Sequence, residues 1–144
     1  VGTSVTEFDL TNADTSNVKY MHAMFFSAES FDQDIGNWDT SNVEIMQSMF
    51  WRASSFNQDI SSWDTSTVEN MKSMFDHAES FNQDISSWDT SNVERMKTMF
   101  YGAESFDQDI SAWYVEQITQ KPPYFDLDAG FEGDNAKQPW GDAY

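Results

Sequence analysis

Aspartate recurs at a fixed spacing. Asp34, Asp59, Asp84 and Asp109 stand 25 residues apart, and Asp9 extends the series backwards. A second series, Asp39, Asp64 and Asp89, keeps the same step, with Asp14 as its first rung. If one period is one coil of a stacked chain, each series becomes a column of carboxylates at roughly 5 Å spacing. Like charges that close repel by about 1 kcal/mol per neighbour in water. Something must offset that repulsion.

Two chemistries could do so. A row of divalent cations, most plausibly Ca²⁺, could be shared between carboxylates of adjacent coils, since calcium accepts six to eight oxygen ligands in irregular cages. Gln33, Gln58, Gln83 and Gln108, or the serines two residues after Asp59, Asp84 and Asp109, would supply neutral oxygens. Alternatively, each aspartate accepts backbone N–H bonds in a local turn or near a helix start. The second chemistry suits the Asp39 column, which lies two residues before a serine that could cap a helix. For the Asp34 column both readings stand, with calcium as the candidate cofactor. A further acidic run, Asp126–Asp134, superficially resembles a calcium loop without matching the helix–loop–helix pattern.

Other columns offer contact rather than coordination. Phe26, Trp51, Asp76 and Tyr101 share a position, so three aromatics could form a sugar- or protein-binding strip or half-cover their neighbours. Thr15, Thr40, Thr65 and Thr90 form a column that would suit an ice-binding face if it were flat and exposed. His22 and His77 fall in different columns and are simplest as surface residues. Carboxylates copied on every rung are not the unique constellation that catalysis needs, and no glycine-rich phosphate loop is present. The chain reads as non-catalytic.

The elements that position these columns follow from the period. Phe31, Phe56, Phe81 and Phe106 repeat in phase with Trp38, Trp63, Trp88 and Trp113, and with columns of Val, Met, Phe and Ala. Agreement in so many columns marks a stacked repeat. In SNVERMKTMFYGA, Val93, Met96, Met99, Phe100 and Ala103 fall on one helical stripe about 120° wide. Ser91 and Glu94 have the spacing of a capping box, as do Ser41/Glu44 and Ser66/Glu69. The other half, FNQDISSWDT, is too short and polar for a helix and reads as a short strand with a turn.

The expected architecture is therefore an α/β solenoid of about five coils plus caps, with a parallel sheet on one face and short helices on the other. One domain spans 1–144: a partial coil or cap at 1–14, repeats over 15–113, and a cap at 114–144. A final helix is expected before Pro122 and Pro123, with Phe125, Leu127, Phe131 and Trp140 folding over the open end.

Composition sets the outer limits. Of 144 residues, 25 are acidic and 7 basic, a net charge of −18, which excludes nucleic acid or an anionic membrane as partner. There is no cysteine for disulfides or zinc fingers, while 12 Phe, 6 Trp and 5 Tyr can fill a core. No apolar run is long enough to insert in a membrane. The start at Val1 reads as a piece of a longer precursor.

The pattern F-N-Q-D-I-S-S-W-D-T-S-N-V-x-x-M-x-x-M-F-x-x-A-x-S resembles the BspA-like leucine-rich-repeat surface proteins, and within them the mycoplasma-lipoprotein type. The likeness covers about residues 8 to 113; Glu44, Glu69 and Glu94 depart from the Thr expected after the valine. It implies a leucine-rich-repeat solenoid at the cell surface, part of a larger secreted protein and used in adhesion or recognition. The expected partner is a glycan or a protein on another surface. Two alternatives remain: a metal-free structural spacer, and the ice-binding face.

Overall fold

The computed structural model describes residues 9–141. The chain stacks its 25-residue units, and the stacking is visible in three kinds of column: amide bonds, aromatic rings and polar side chains. It is not the α/β solenoid predicted above. Among the described residues the helical content is one 3-10 turn, Asn135–Lys137. Strand pairing is reduced to isolated parallel bridges, Tyr20 to Ile45, Ile45 to Asn70 and Asn70 to Arg95. The final helix before Pro122 is also absent; a single turn closes there, with the Ile118 amide on the Val115 carbonyl at 2.9 Å.

The predicted helices fail because alternate amides serve different partners. In one unit the amides of Met46, Ser48, Phe50 and Arg52 donate to carbonyls of Asn70, Lys72, Met74 and Asp76 in the next coil, at 2.8 to 2.9 Å. The amides between them turn back locally, Met49 to Met46 and Trp51 to Ser48 at 3.2 Å, and Ala53 to Phe50 at 3.0 Å. A helix needs every amide to reach four residues back. Here the segment becomes successive tight turns, with left-handed backbone at Ala23, Ser48, Ser73 and Thr98, φ 53 to 56°. A second left-handed position recurs at Ser27, Arg52, His77 and Gly102. The capping boxes do not form either: Ser41, Ser66 and Ser91 give their amides and hydroxyls to the preceding aspartates.

The predicted strand fails for a complementary reason. Along FNQDISSWDT, every bond to a neighbouring coil among the described residues has a side chain as donor or acceptor. Gln83 Nε2 donates to the Asn57 carbonyl at 2.9 Å, and Trp88 Nε1 to the Ile60 carbonyl at 3.1 Å. Thr65 Oγ1 donates to the Asp89 carbonyl at 2.8 Å, and the Asn57 side-chain oxygen accepts the Asn82 amide at 2.9 Å. With the amides of Asn57, Asn82 and Asp107 given to side-chain oxygens, no sheet ladder forms along this half. Each bond recurs in neighbouring coils, so the polar sentence must be copied for the stack to close.

The apolar stripe is buried as a stripe even though no helix carries it. Val93, Met96, Met99, Phe100 and Ala103 are all in the core. Inside each coil two phenylalanines stack face to face, with centroids 3.9 to 4.1 Å apart. Between coils Phe25, Phe50, Phe75 and Phe100 repeat at 5.6 Å, and the tryptophans at 6.3 to 6.5 Å. Offset stacking adds to the burial of each ring, itself worth about 1.5 to 3 kcal/mol.

The tail ends the stack by turning its rings. Phe125 and Phe131 meet Phe100 edge-on at 5.4 and 5.6 Å, so no further parallel ring can follow. The Phe100 and Gly102 amides donate to the Phe125 and Leu127 carbonyls at 2.9 and 2.8 Å. Gly130 lets the tail approach: a Cβ there would lie 2.7 Å from the Glu104 carbonyl oxygen and 2.8 Å from that of Phe106.

Candidate functional site

Each aspartate of the Asp34 column closes a turn on the residue two places later. The carboxylate of Asp34 accepts the Gly36 amide at 3.0 Å, and that of Asp59 the Ser61 amide at 2.9 Å. Asp84 and Asp109 accept both the amide and the hydroxyl of Ser86 and Ser111, the hydroxyls at 2.6 Å. Asp9 accepts the Thr11 amide at 2.9 Å. The Asp39, Asp64 and Asp89 column makes the same motif with Ser41, Ser66 and Ser91, hydroxyls again at 2.6 Å. Asp14 and Ser16 repeat it.

These bonds favour the charged form. The Ser86 hydroxyl, then its amide, hold the Asp84 carboxyl below its ordinary value; burial and the charges of Asp59 and Asp109 push weakly the other way. Serine bonds likewise lower Asp59, Asp39, Asp89 and Asp109. At Asp84 and Asp39 these local hydrogen bonds outweigh the neighbouring charges. Both columns carry Asp-x-Ser in their inner coils, a signal legible in the sequence that joins two series read there as different.

Open clefts separate the rungs. One of 290 Å³ lies among Asp59, Ser61, Gln83, Asp84, Ser86 and Ser87, and one of 300 Å³ among Asp84, Ser86, Gln108, Asp109, Ser111 and Ala112. Each offers two carboxylates, and one oxygen of each already accepts a hydrogen bond. The glutamines are committed through their Nε2 atoms, Gln58 to the Asp32 carbonyl, Gln83 to Asn57 and Gln108 to Asn82. Gln33 accepts the Leu10 amide at 2.9 Å. Among the described residues no three His, Asp or Glu side chains converge as a metal group. The donor set suits loosely held, hydrated cations rather than a closed calcium cage.

In the tail, Asp126 is buried and saturated. Its carboxylate takes Lys121 Nζ at 2.7 Å, Gln138 Nε2 at 2.7 Å and the Gly133 amide at 3.3 Å. Burial pushes the Asp126 carboxyl up, and these bonds outweigh it and hold it low. Asp126, the first residue of the acidic run, is an internal brace.

The aromatic column is brought together in pairs. Phe26 and Trp51 meet edge-on at 4.8 Å, and Tyr101 meets the His77 ring at 4.9 Å and Tyr124 at 6.5 Å. Phe26 is 47% exposed, while Trp51 and Tyr101 are half-buried. Between them Asp76 is buried against His77, Nδ1 to carboxylate 2.5 Å. Burial raises the Asp76 carboxyl above its ordinary value, partly countered by the His77 bond and the charges of His77 and Arg52. This pair escaped the sequence reading because nothing in its column repeats. A 400 Å³ cleft beside it is lined by Glu29, Arg52, Ser54, His77 and Glu79. The threonine column cannot present an ice-binding plane: Thr40, Thr65 and Thr90 are 1% exposed, and their hydroxyls bond carbonyls of the next coil.

A family described as "Mycoplasma protein of unknown function, DUF285" matches residues 2–66 and again 35–138. The chain belongs to that family. The two matches overlap over residues 35–66, and together they span the repeats and most of the tail. Neither the curated proteins nor the solved structures hold a significant match to it.

Proposed function

We propose that the chain is a non-catalytic recognition module, displayed on a cell surface as part of a larger secreted protein, with the turn half of each coil as its contact face. One observation carries this: where exposed residues vary between coils. In the FNQDISSWDT half even exposed positions repeat, such as Asp34, Asp59, Asp84 and Asp109, because their side chains close turns or bond the next coil. In the turn half the core positions, such as Met49, Met74 and Met99, repeat, while several outward positions change from coil to coil. His22, Gln47, Lys72 and Lys97 share one position; the exposed Ser27 and Arg52 and the half-buried His77 share another, which the buried Gly102 completes. A surface free to differ rung by rung can be specific, and the frame behind it need not change.

The aromatic pairs on this face fit a carbohydrate or protein partner, since ring edges and faces give contact area at small entropic loss. The likeness to BspA-like surface proteins supports the placement outside the cell. Calcium bridging to a glycan is a second reading, favoured by the two-carboxylate clefts of 290 and 300 Å³. Glycan-array binding tests both, in EDTA and in millimolar Ca²⁺. The contact-face reading expects Trp51→Ala and Tyr101→Ala to abolish captured signals and Asp84→Asn to keep them. Loss with Asp84→Asn, restored only by Ca²⁺ in the unaltered chain, favours bridging; no signal on glycans or on cell-surface proteins leaves the spacer.

A further inference from the structure

One cavity reverses the charge of the molecule. A 440 Å³ cavity between the last repeat and the tail is lined by Lys72, Arg95, Lys97 and Lys121, four of the chain's seven basic residues, on a protein of net charge −18. Its single acidic lining residue is Glu94, and its apolar wall comes from Met96, Ile118, Pro122 and Pro123. Lys121 is engaged by Asp126 at 2.7 Å. The side chains of Lys72, Arg95 and Lys97 have no ion pair among the described residues.

The cavity exists because the amide ladder skips a step. Met46 and Met71 donate their amides to Asn70 and Arg95 of the following coils, both at 2.9 Å. The equivalent amide of Met96, and that of Thr98 beyond it, find no backbone carbonyl among the described residues, and the ladder resumes only at Phe100. Pro122 and Pro123 follow the point where the ladder breaks; they carry no amide hydrogen and bias the residue before them to extended backbone. An unpaired backbone N–H beside several uncompensated cations is an anion-recognition arrangement.

We propose that this cavity binds a small organic anion with an apolar body. Lys72, Arg95, Lys97 and the Met96 amide hold the charged group, and Ile118, Pro122 and Pro123 pack the body. The volume falls in the range of small-molecule sites, and a few polar groups against an apolar wall is their usual composition. Lys72 and Lys97 lie at a variable position of the turn half, but the site shares no residue with the Phe26, Trp51 and Tyr101 strip. The naphthoate titration and the Trp51 and Tyr101 variants can therefore fail separately.

Amide NMR of the whole chain titrated with 2-naphthoate, neutral 2-naphthamide and inorganic sulfate tests it. The expected result is saturable movement of the Met96, Lys97 and Ile118 amides with naphthoate, and far weaker responses to the other two. Lys97→Gln and Arg95→Gln should each weaken naphthoate about tenfold, as loss of one charge-assisted bond does. Lys97→Arg should largely retain binding, and Lys19→Gln, remote from the cavity and paired with Glu44, should change nothing. Equal binding of 2-naphthamide, equal response to sulfate, indifference to the Gln variants, or no movement at these amides would each overturn the proposal.

Discussion

Asp84 shows what a repeated charge does in this chain. Its carboxylate sits in the middle of a column of like charges, yet the Ser86 hydroxyl and amide hold it in the charged form. Because its folded value lies below the ordinary 3.8, its stabilisation is complete above that pH and is lost as pH falls through the lower folded value. At fixed ionic strength, denaturant midpoints should therefore drop as pH falls through about 4 and below. Replacing Asp59, Asp84 and Asp109 together by Asn should flatten that drop, since Asn still accepts the turn bond without titrating. Ala at the same positions should lower the midpoint at every pH. An Asn triple as pH-sensitive as the parent would contradict the assignment. The role was legible in Asp-x-Ser; what hid it was the adjacent run of helical spacing, which made the Asp39 column look like a helix cap and left the Asp34 column without a partner.

At the scale of elements, the sequence named which residues are buried and misread the backbone that buries them. Val93, Met96, Met99, Phe100 and Ala103 have helical spacing, but turns that send every second amide to the next coil also put them inside. Spacing reports burial; it does not report where the amides go. Left-handed backbone at Ala23, Ser48 and Thr98 carries no glycine to announce it. Ala23→Gly separates the two structures by sign. In a helix it would lower stability by about 1 kcal/mol. At φ 53° it should be neutral or raise stability by up to about 1 kcal/mol, because a left-handed Ala is strained. A thermal melt reads the difference.

For the whole molecule, the ring columns carry the load that disulfides and a sheet would carry elsewhere. Phe75 stacks on Phe50, Phe81 and Phe100 at once, so Phe75→Ala should cost about 3 to 5 kcal/mol. The chain should then unfold over a broader range, since stacked units communicate only through their neighbours. The period was readable from the 25-residue columns, and the burial of Phe125, Phe131 and Trp140 from their apolar type beyond the last column. The tail's cavity was not, since it arises from two unpaired amides that no column encodes.

The account makes the aspartate columns part of the frame, closed by their own serines, and puts recognition on the turn face. The thermal midpoint in EDTA against millimolar Ca²⁺, matched for ionic strength with Mg²⁺ and NaCl controls, tests this most directly. The account predicts midpoints that agree across the salts at equal ionic strength, rising together as screening relieves the −18 charge. A large upward shift peculiar to Ca²⁺, lost when Asp84 becomes Asn, would contradict it and make the columns a metal site.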